Sequence, residues 1–215
     1  MSSISISRIA EELQPYGVKP NEVLSSQIRS YVEMLLVWNR KMSLTAVTDP
    51  VEIIRFHFGE SIFALTAGAI SDGRLADVGS GAGFPGLPIR LARPSINLTM
   101  IESNIKKCTF LREVSRKLRI DGDVRVLNSR MEDVATPSPS EDERFDFISA
   151  RAVGDFDALL AFARKFLAEK GRLVLWIGQE DAEMLAKVHS VLWEWSGPIL
   201  VPNSSRRNLL SGRLR

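Results

Sequence analysis

The chain has 215 residues, of which 45% are hydrophobic and 25% charged, and its formal net charge is +2. This composition is ordinary for a globular protein and provides one sizeable core, so we expect one large domain or one domain with an appendage. The near-neutral charge permits a nucleic-acid partner if basic residues cluster, and the single cysteine excludes a disulfide within the chain.

The same features bear on compartment and metal content. The lone cysteine and the polar N-terminus, which carries acidic residues, favour a cytoplasmic protein without a signal peptide. No apolar run approaches the roughly 18 residues that a membrane span needs, so we expect no membrane contact. The two histidines, His57 and His189, are far apart in sequence, and we expect no metal site.

Residues 1–70 predict an N-terminal helical cap. A short amphipathic stretch precedes Asn21, which can cap a second helix, and apolar residues then recur at helical spacing. Pro50 begins a third apolar helical stretch. We therefore divide the chain into a cap over 1–70 and one compact α/β unit over 71–215.

Strand and helix signals alternate after the cap. The predicted strands cover 75–78, 97–101, 124–127, 145–148 and 173–177, and the predicted helices lie near 87–92, 104–119 and 155–169. This alternation is typical of a Rossmann-like α/β fold, with a mostly parallel sheet and helices on both faces. Residues 136–143 form a polar segment that we predict to be a loop, and the last 30 residues are consistent with a terminal hairpin.

The most informative stretch is DVGSGAGFPG, which runs from Asp77 to Gly86 at the end of the first predicted strand. Glycine permits a sharp turn and a close approach of backbone N–H groups to a ligand. The spacing fits two ligand classes, a dinucleotide and S-adenosylmethionine, and a purely structural turn is the third alternative. An acid ahead of the glycines favours S-adenosylmethionine, because it would repel a pyrophosphate but help to place the cationic amine end of the methyl donor.

A second acid, Glu102, ends the next apolar run about 20 residues further on, where an acid binds ribose hydroxyls in either ligand class. The loop and this acid together supply one set of candidate donor contacts: Asp77, Gly79, Ser80, Gly81, Gly83 and Glu102.

Over most of its length the sequence resembles the ribosomal RNA small subunit methyltransferase G family, also called glucose-inhibited division protein B. The resemblance is carried by Trp38-Asn39, Leu44-Thr45-Ala46, His57, Ser61, VGSGAGFPG, Glu102-Ser103, Lys106-Lys107, Phe110-Leu111, Arg130 with Glu132, and Ala150-Arg151-Ala152. It implies a class I S-adenosylmethionine-dependent methyltransferase fold. The implied reaction is methyl transfer to N7 of a guanine in 16S ribosomal RNA.

Carried over by position, the resemblance implies donor contacts at Gly79, Phe84, Met131, Glu132 and Arg151. Arg151 ends the fourth predicted strand, and its planar fork suits either the donor carboxylate or an RNA phosphate. We expect it to be the catalytic helper, with a structural ion pair as the alternative. Phe84 has a core contact as its alternative reading, and Glu132 a helix-start acid.

The sequence also departs from the family pattern. Glu60 stands where an aspartate is usual, Ser43 replaces an asparagine, and Met131 replaces a small residue. Ile177 stands where a lysine is usual, so no substrate role is expected for a lysine there.

The predicted helix over 104–119 carries the candidate RNA contacts. We expect a buried stripe of Ile105, Cys108, Leu111, Val114 and Leu118, with basic residues on the other side. The RNA-binding candidates are Lys106, Lys107, Arg112 and Arg116, of which Lys107 is expected to lean toward the donor crevice. A solvated basic face is the alternative.

Two other functions stay open on sequence alone. One is an RNA- or protein-binding module with a vestigial donor pocket, and the other is a small-molecule methyltransferase with a closed apolar pocket. For the methyltransferase reading the expected partner is 16S ribosomal RNA or the small-subunit particle, and we expect a monomer.

Overall fold

The computed structural model describes residues 4–134, 139–152, 154–188 and 191–215. Its N-terminal part is helical, as the sequence predicts. The helices are α1 (Ile6–Leu13), α2 (Glu22–Asn39), α3 (Pro50–Ile53) and α4 (Glu60–Thr66), with a π-helical segment (Ile54–Gly59) joining α3 to α4. Side-chain caps explain where these helices begin. Asn21 accepts a hydrogen bond from the Leu24 amide at 2.8 Å, and Asp49 does the same for the Glu52 amide at 2.9 Å.

Within the described residues the sheet has eight strands, namely β1 (Arg74–Val78), β2 (Asn97–Glu102), β3 (Val124–Asn128), β4 (Phe145–Arg151), β5 (Leu167–Gly178), β6 (Trp193–Trp195), β7 (Ile199–Leu200) and β8 (Arg207–Leu214). Their order is β3-β2-β1-β4-β5-β8-β6, and β7 also pairs with β8. The strands β3, β2, β1, β4 and β5 are neighbours in this order and pair in parallel, and β8 runs antiparallel to β5. The carboxyl ends of β1 to β5 therefore meet at one edge, where ligands bind in open α/β sheets.

The sheet is covered by the helices α5 (Gly86–Ala92), α6 (Ile105–Lys117), α7 (Phe156–Phe166) and α8 (Gln179–Val188). Strand side chains alternate between two core clusters, as the two-residue period of a strand requires. Leu75 joins the cluster that contains α5, α6 and the cap, and Ala76 joins the cluster that contains α7 and α8. The cap thus shares one hydrophobic core with a face of the sheet.

The predicted Rossmann-like class is confirmed, and each predicted strand and helix has a counterpart. The stripe on α6 is wrong at one position, because Ile105 is 57% exposed while Phe110 is fully buried. Ile105 is the first residue of the helix, where the chain has only just left the sheet edge. The proposed hairpin is seen as antiparallel pairing of β6 and β7 with β8.

Some expectations lie beyond these observations. Within the polar segment 136–143, residues 136–138 lie outside the described residues, and Glu141–Glu143 form a single 3-10 turn. His189 also lies outside them. In the described ranges no helix is both long and apolar enough to cross a bilayer. The division of the chain at residue 70 stays a prediction.

Candidate active site

The glycine-rich loop leaves β1 at Val78 and enters α5 at Gly86. Gly79, Gly81 and Gly83 all have positive φ, which L side chains adopt only with strain. Close approach adds a second requirement at Gly83, where an added Cβ would lie 2.3 Å from Tyr31 Oη and 2.6 Å from Leu87 Cδ1. The spacing of the glycines therefore reflects both the turn and the packing behind it.

Asp77 is fully buried on the cap side of the loop. Its Oδ1 accepts a hydrogen bond from Ser149 Oγ at 2.8 Å, and its Oδ2 accepts one from the Gly86 amide at 3.2 Å. Burial raises the pKa of this carboxyl to about 6, and the hydrogen bonds oppose that rise. The side chain ties β1 to β4 and to the start of α5, and its predicted contact with the amine end of a donor stays a prediction.

Two further predicted contacts are also occupied inside the protein. Ser80 is 1% exposed, and its hydroxyl donates to the Asp77 carbonyl at 2.8 Å. The Gly83 amide donates to the Ser80 carbonyl at 2.7 Å, and this residue packs against the cap. Both residues form the back of the loop, and direct donor contacts at Ser80 and Gly83 stay predictions.

Glu102 ends β2 and faces the front of the loop. Its Oε2 accepts from the Gly81 amide and its Oε1 from the Asn104 amide, each at 2.8 Å. Asn104 in turn caps α6 by accepting from the Lys106 and Lys107 amides. A carboxylate has about four acceptor positions, so Glu102 keeps capacity for a ligand hydroxyl.

A cleft of about 290 Å³ opens beside Glu102 at the carboxyl ends of β1, β2 and β3. It brings together four predicted donor contacts, Gly79, Glu102, Met131 and Glu132. The rest of the lining is Val78, Ile101, Ser103, Ser129 and Arg130. Gly81 does not line this cleft, but its amide orients Glu102. Ser129 was missed by sequence reasoning, although its position just after β3 would have indicated it.

Phe84 does not reach this cleft. Its ring is 9% exposed and lies nearly parallel to Tyr31, at 6° and 5.4 Å between centroids. His57 and Phe58 pack against it at 4.7 and 5.4 Å. The alternative reading, a core contact beneath the loop, is the one that the structure has.

A second cleft, of about 670 Å³, lies at the carboxyl ends of β4 and β5. Arg151 and Trp176 lie on its sheet side, His57 and Glu60 come from the cap, and residues 203–207 form the wall before β8. The two clefts therefore flank the β1–β4 boundary at the same edge of the sheet.

A buried carboxylate organises the second cleft. Glu60 Oε2 lies 3.0 Å from Arg151 Nη2 and 2.5 Å from Arg207 Nη1, and its backbone carbonyl accepts from Trp176 Nε1 at 2.7 Å. Arg151 Nη2 also donates to the Phe56 carbonyl at 3.0 Å. Burial lowers the pKa of Arg151 to about 10, while the Glu60 charge opposes that effect.

Arg151 is thus in an ion pair, yet its other terminal nitrogen, Nη1, is buried without a hydrogen-bond partner among the described residues. A buried donor of this kind is costly unless a ligand or water satisfies it. Sequence reasoning named Arg151 as a site residue but did not place Arg207 beside it. Glu60 was visible as a departure from the family pattern.

His57 is packed rather than exposed. Its Nε2 lies 2.7 Å from Thr45 Oγ1. Burial, followed by the nearby Arg151 charge, lowers the pKa of His57 to about 4. The ring is consequently neutral near pH 7, which agrees with a structural histidine.

The four basic candidates on α6 line neither cleft. Arg112 Nη2 donates to the Val126 carbonyl at 3.2 Å, and Arg116 Nη1 lies 2.5 Å from Glu113 Oε1. Lys106 is exposed and Lys107 half-buried. A role in RNA binding stays a prediction, and Lys107 is not found in the donor cleft where we expected it to lean. Across the described ranges, no group of three or more His, Cys, Asp or Glu residues could hold a metal ion.

Comparison with known proteins places this site in a defined context. Residues 24–197 match the family model described as rRNA small subunit methyltransferase G. A "Ribosomal RNA small subunit methyltransferase G" from Chloroflexus aggregans is 32% identical over 208 residues, covering 94% of this chain and 87% of the relative. One from Dehalococcoides mccartyi (strain CBDB1) is 36% identical over 162 residues, covering 75% of this chain and 68% of the relative.

Solved methyltransferases share the fold at low sequence identity. The glycopeptide N-methyltransferase MtfA aligns with a TM-score of 0.60 at 10% identity, over 74% of this chain and 90% of its own. The ribosomal protein L11 methylase of Lactobacillus delbrueckii subsp. bulgaricus aligns with a TM-score of 0.57 at 14% identity, over 75% of this chain and 79% of its own. These similarities establish the class I methyltransferase architecture.

Proposed function

This chain belongs to the ribosomal RNA small subunit methyltransferase G family, and on that basis we propose that it uses S-adenosylmethionine to methylate N7 of a guanine in 16S ribosomal RNA. The observation that carries the proposal is the pair of clefts at one edge of the sheet. The smaller cleft has the residues for the donor, and the larger cleft has room and polar groups for the acceptor base.

The smaller cleft fits the donor chemically. Gly79 follows β1 and has no side chain that would fill the cleft. Glu102 and Glu132 supply carboxylates for the hydroxyl and amino groups of an adenosine. Met131 adds an apolar surface beside them. When bound, the sulfonium donor supplies an activated methyl group.

The reaction at guanine N7 makes few chemical demands on the protein. N7 carries a lone pair and no proton, so no base is needed before the methyl carbon is attacked. As the new bond from N7 to carbon forms, the bond from carbon to sulfur breaks, and the positive charge moves from sulfur to the guanine ring. The protein has to align these three atoms and exclude water. The lowered pKa of His57 leaves its ring neutral near pH 7, and the reaction requires no general base from it.

We assign a positioning role to Arg151, which lines the larger cleft and not the smaller one. Glu60 and the Phe56 carbonyl hold Nη2, and the buried Nη1 is left for an oxygen of the acceptor or of the donor carboxylate. Arg206 and Arg207 on the opposite wall make the larger cleft better suited to a polyanion than to an apolar small molecule. Guanine N7 lies in the deep major groove of A-form RNA, so the target base should be unpaired or swung out.

The direct test is transfer of a labelled methyl group from S-adenosylmethionine to RNA. Naked 16S RNA and small-subunit particles, both from cells without this enzyme, are compared, and N7-methylguanosine is mapped by its chemical strand cleavage. One labelled guanine in either substrate supports the proposal, and the comparison identifies which form is used. Donor binding without any transfer would instead favour a binding module, and transfer to another atom would refute the N7 assignment.

The proposed substrate also bears on the compartment and the oligomeric state of the protein. We propose a cytoplasmic monomer that meets the ribosomal subunit there. Sedimentation of the purified protein and fractionation of cells test both points.

A further inference from the structure

Among the cap side chains that contact the glycine-rich loop, Tyr31 makes a hydrogen bond to its backbone. It lies on α2, is fully buried, and its hydroxyl donates a hydrogen bond to the carbonyl of Ala82 in the middle of the loop. The same hydroxyl lies where a side chain at Gly83 would have to be. The cap and the loop are thus joined at three consecutive residues, 82–84, because Phe84 stacks on the Tyr31 ring.

The rings around this hydrogen bond form a compact aromatic group. Phe58 meets Tyr31 edge-on at 5.2 Å and 83°, and meets Phe84 edge-on at 5.4 Å and 79°. Both arrangements are favourable for aromatic pairs. Burial holds the pKa of Tyr31 well above its ordinary value, so the hydroxyl stays protonated and continues to donate across the physiological range.

The loop needs such support because glycine loses more backbone freedom on ordering than other residues do. Glu102 holds the front of the loop through the Gly81 amide, and Tyr31 holds the back through the Ala82 carbonyl. Without the hydroxyl, a buried carbonyl would lack its partner, and the loop would relax from the arrangement that orients Glu102.

We propose that Tyr31 is a positioning residue for methyl-donor binding, through which the N-terminal cap sets the shape of the glycine-rich loop. This inference rests on the proposed donor, but it does not depend on which RNA atom is methylated. By reciprocity, donor binding also stabilises the cap against unfolding.

The test compares Tyr31→Phe with Tyr16→Phe, a matched change to another buried cap tyrosine whose hydroxyl makes no hydrogen bond to the loop. Calorimetry with S-adenosylhomocysteine measures donor-site affinity without RNA. Tyr31→Phe should raise Kd by about five- to tenfold, the effect of one buried hydrogen bond, and Tyr16→Phe should leave it within about twofold. In turnover, KM for the donor should rise while kcat at saturating donor stays unchanged, since Tyr31 touches neither reactant.

Phe58→Leu gives an independent answer, because it loosens the aromatic group and keeps the Tyr31 hydroxyl. It should also weaken donor binding at a temperature where the variant is folded. If the wild type binds S-adenosylhomocysteine and both variants bind it equally well, the inference is wrong, even if their melting temperatures fall. If the wild type does not bind it, the proposed donor is wrong and this inference falls with it.

Discussion

Replacing Asp77 by asparagine should remove a pH dependence from the stability of this protein. The carboxyl is fully buried between Ser149 and the Gly86 amide, and burial raises its pKa from the ordinary 3.8 to about 6. The folded state therefore holds this proton more tightly than the unfolded state does. The protonated Asp77 carboxyl therefore contributes stability that is fully present below about pH 3.8 and is lost as the pH rises through about 6.

One unit of pKa corresponds to about 1.36 kcal/mol, so the ionised carboxyl costs about 3 kcal/mol at pH 7 relative to its protonated form. Asparagine avoids this cost and keeps the contacts. Its oxygen can accept from the Gly86 amide, and its NH2 can donate to Ser149 Oγ if that hydroxyl turns. The free energy of unfolding of Asp77→Asn, relative to that of the wild type, should therefore increase from pH 4 to pH 7.

Urea denaturation at half-unit pH steps measures this difference, and donor affinity is measured on the same samples. Asp72→Asn is the control of opposite sign, because a hydrogen bond from Ser95 lowers the pKa of that exposed carboxyl. Affinity for S-adenosylhomocysteine should stay within about threefold in Asp77→Asn, because this buried carboxyl does not line the smaller cleft. A difference in stability that is flat with pH, or a collapse of donor binding, would refute the structural role assigned to Asp77.

Other changes test other parts of the site. Glu102→Ala should weaken S-adenosylhomocysteine binding by about 1.5–3 kcal/mol in calorimetry, because it removes the ribose acceptor and frees the Gly81 amide; unchanged affinity would place the donor elsewhere. Glu60→Ala should cost about 3–5 kcal/mol in urea denaturation, since it leaves Arg151 buried without its carboxylate, and a loss under 1 kcal/mol would mean that the ion pairs are incidental. If α6 binds RNA, changing Arg112 and Arg116 to glutamine should reduce the slope of log affinity against log salt by about 2, and an unchanged slope would leave α6 as a solvated face. Activity should survive a chelator, and rescue by magnesium on an RNA that folds without it would contradict metal independence.

The fold could be predicted because its signals are local. Alternating strand and helix patterns located β1 to β5, and the glycine turn marked the ligand edge of the sheet. The predicted end of the second strand also placed Glu102 at this edge, where it lines the smaller cleft. The position of β8 between β5 and β6 could not be predicted, because short strands at the end of a chain pair through contacts that no local pattern encodes.

The side-chain contacts of the site were harder to predict, because the position of a residue in a motif does not reveal which way its side chain points. Asp77, Ser80 and Phe84 all belong to the loop, yet all three face the core behind it. Their burial depends on Tyr31, Gly86 and Ser149, which other elements bring to the loop. That Glu60, Arg151 and Arg207 lie together could not be predicted either, because they come from the cap, β4 and β8.

The ion pair between Glu60 and Arg207 joins residues that are 147 positions apart. The donor side of the edge is built from β1, β2 and β3, all of which precede β8 in the chain. During synthesis, the residues for the methyl donor therefore leave the ribosome well before the wall that completes the larger cleft. A nascent chain that still lacks β8 has the residues that line the smaller cleft, but it lacks one wall of the larger cleft. The larger cleft is therefore complete only once β8 has paired with β5 and brought Arg207 to Glu60.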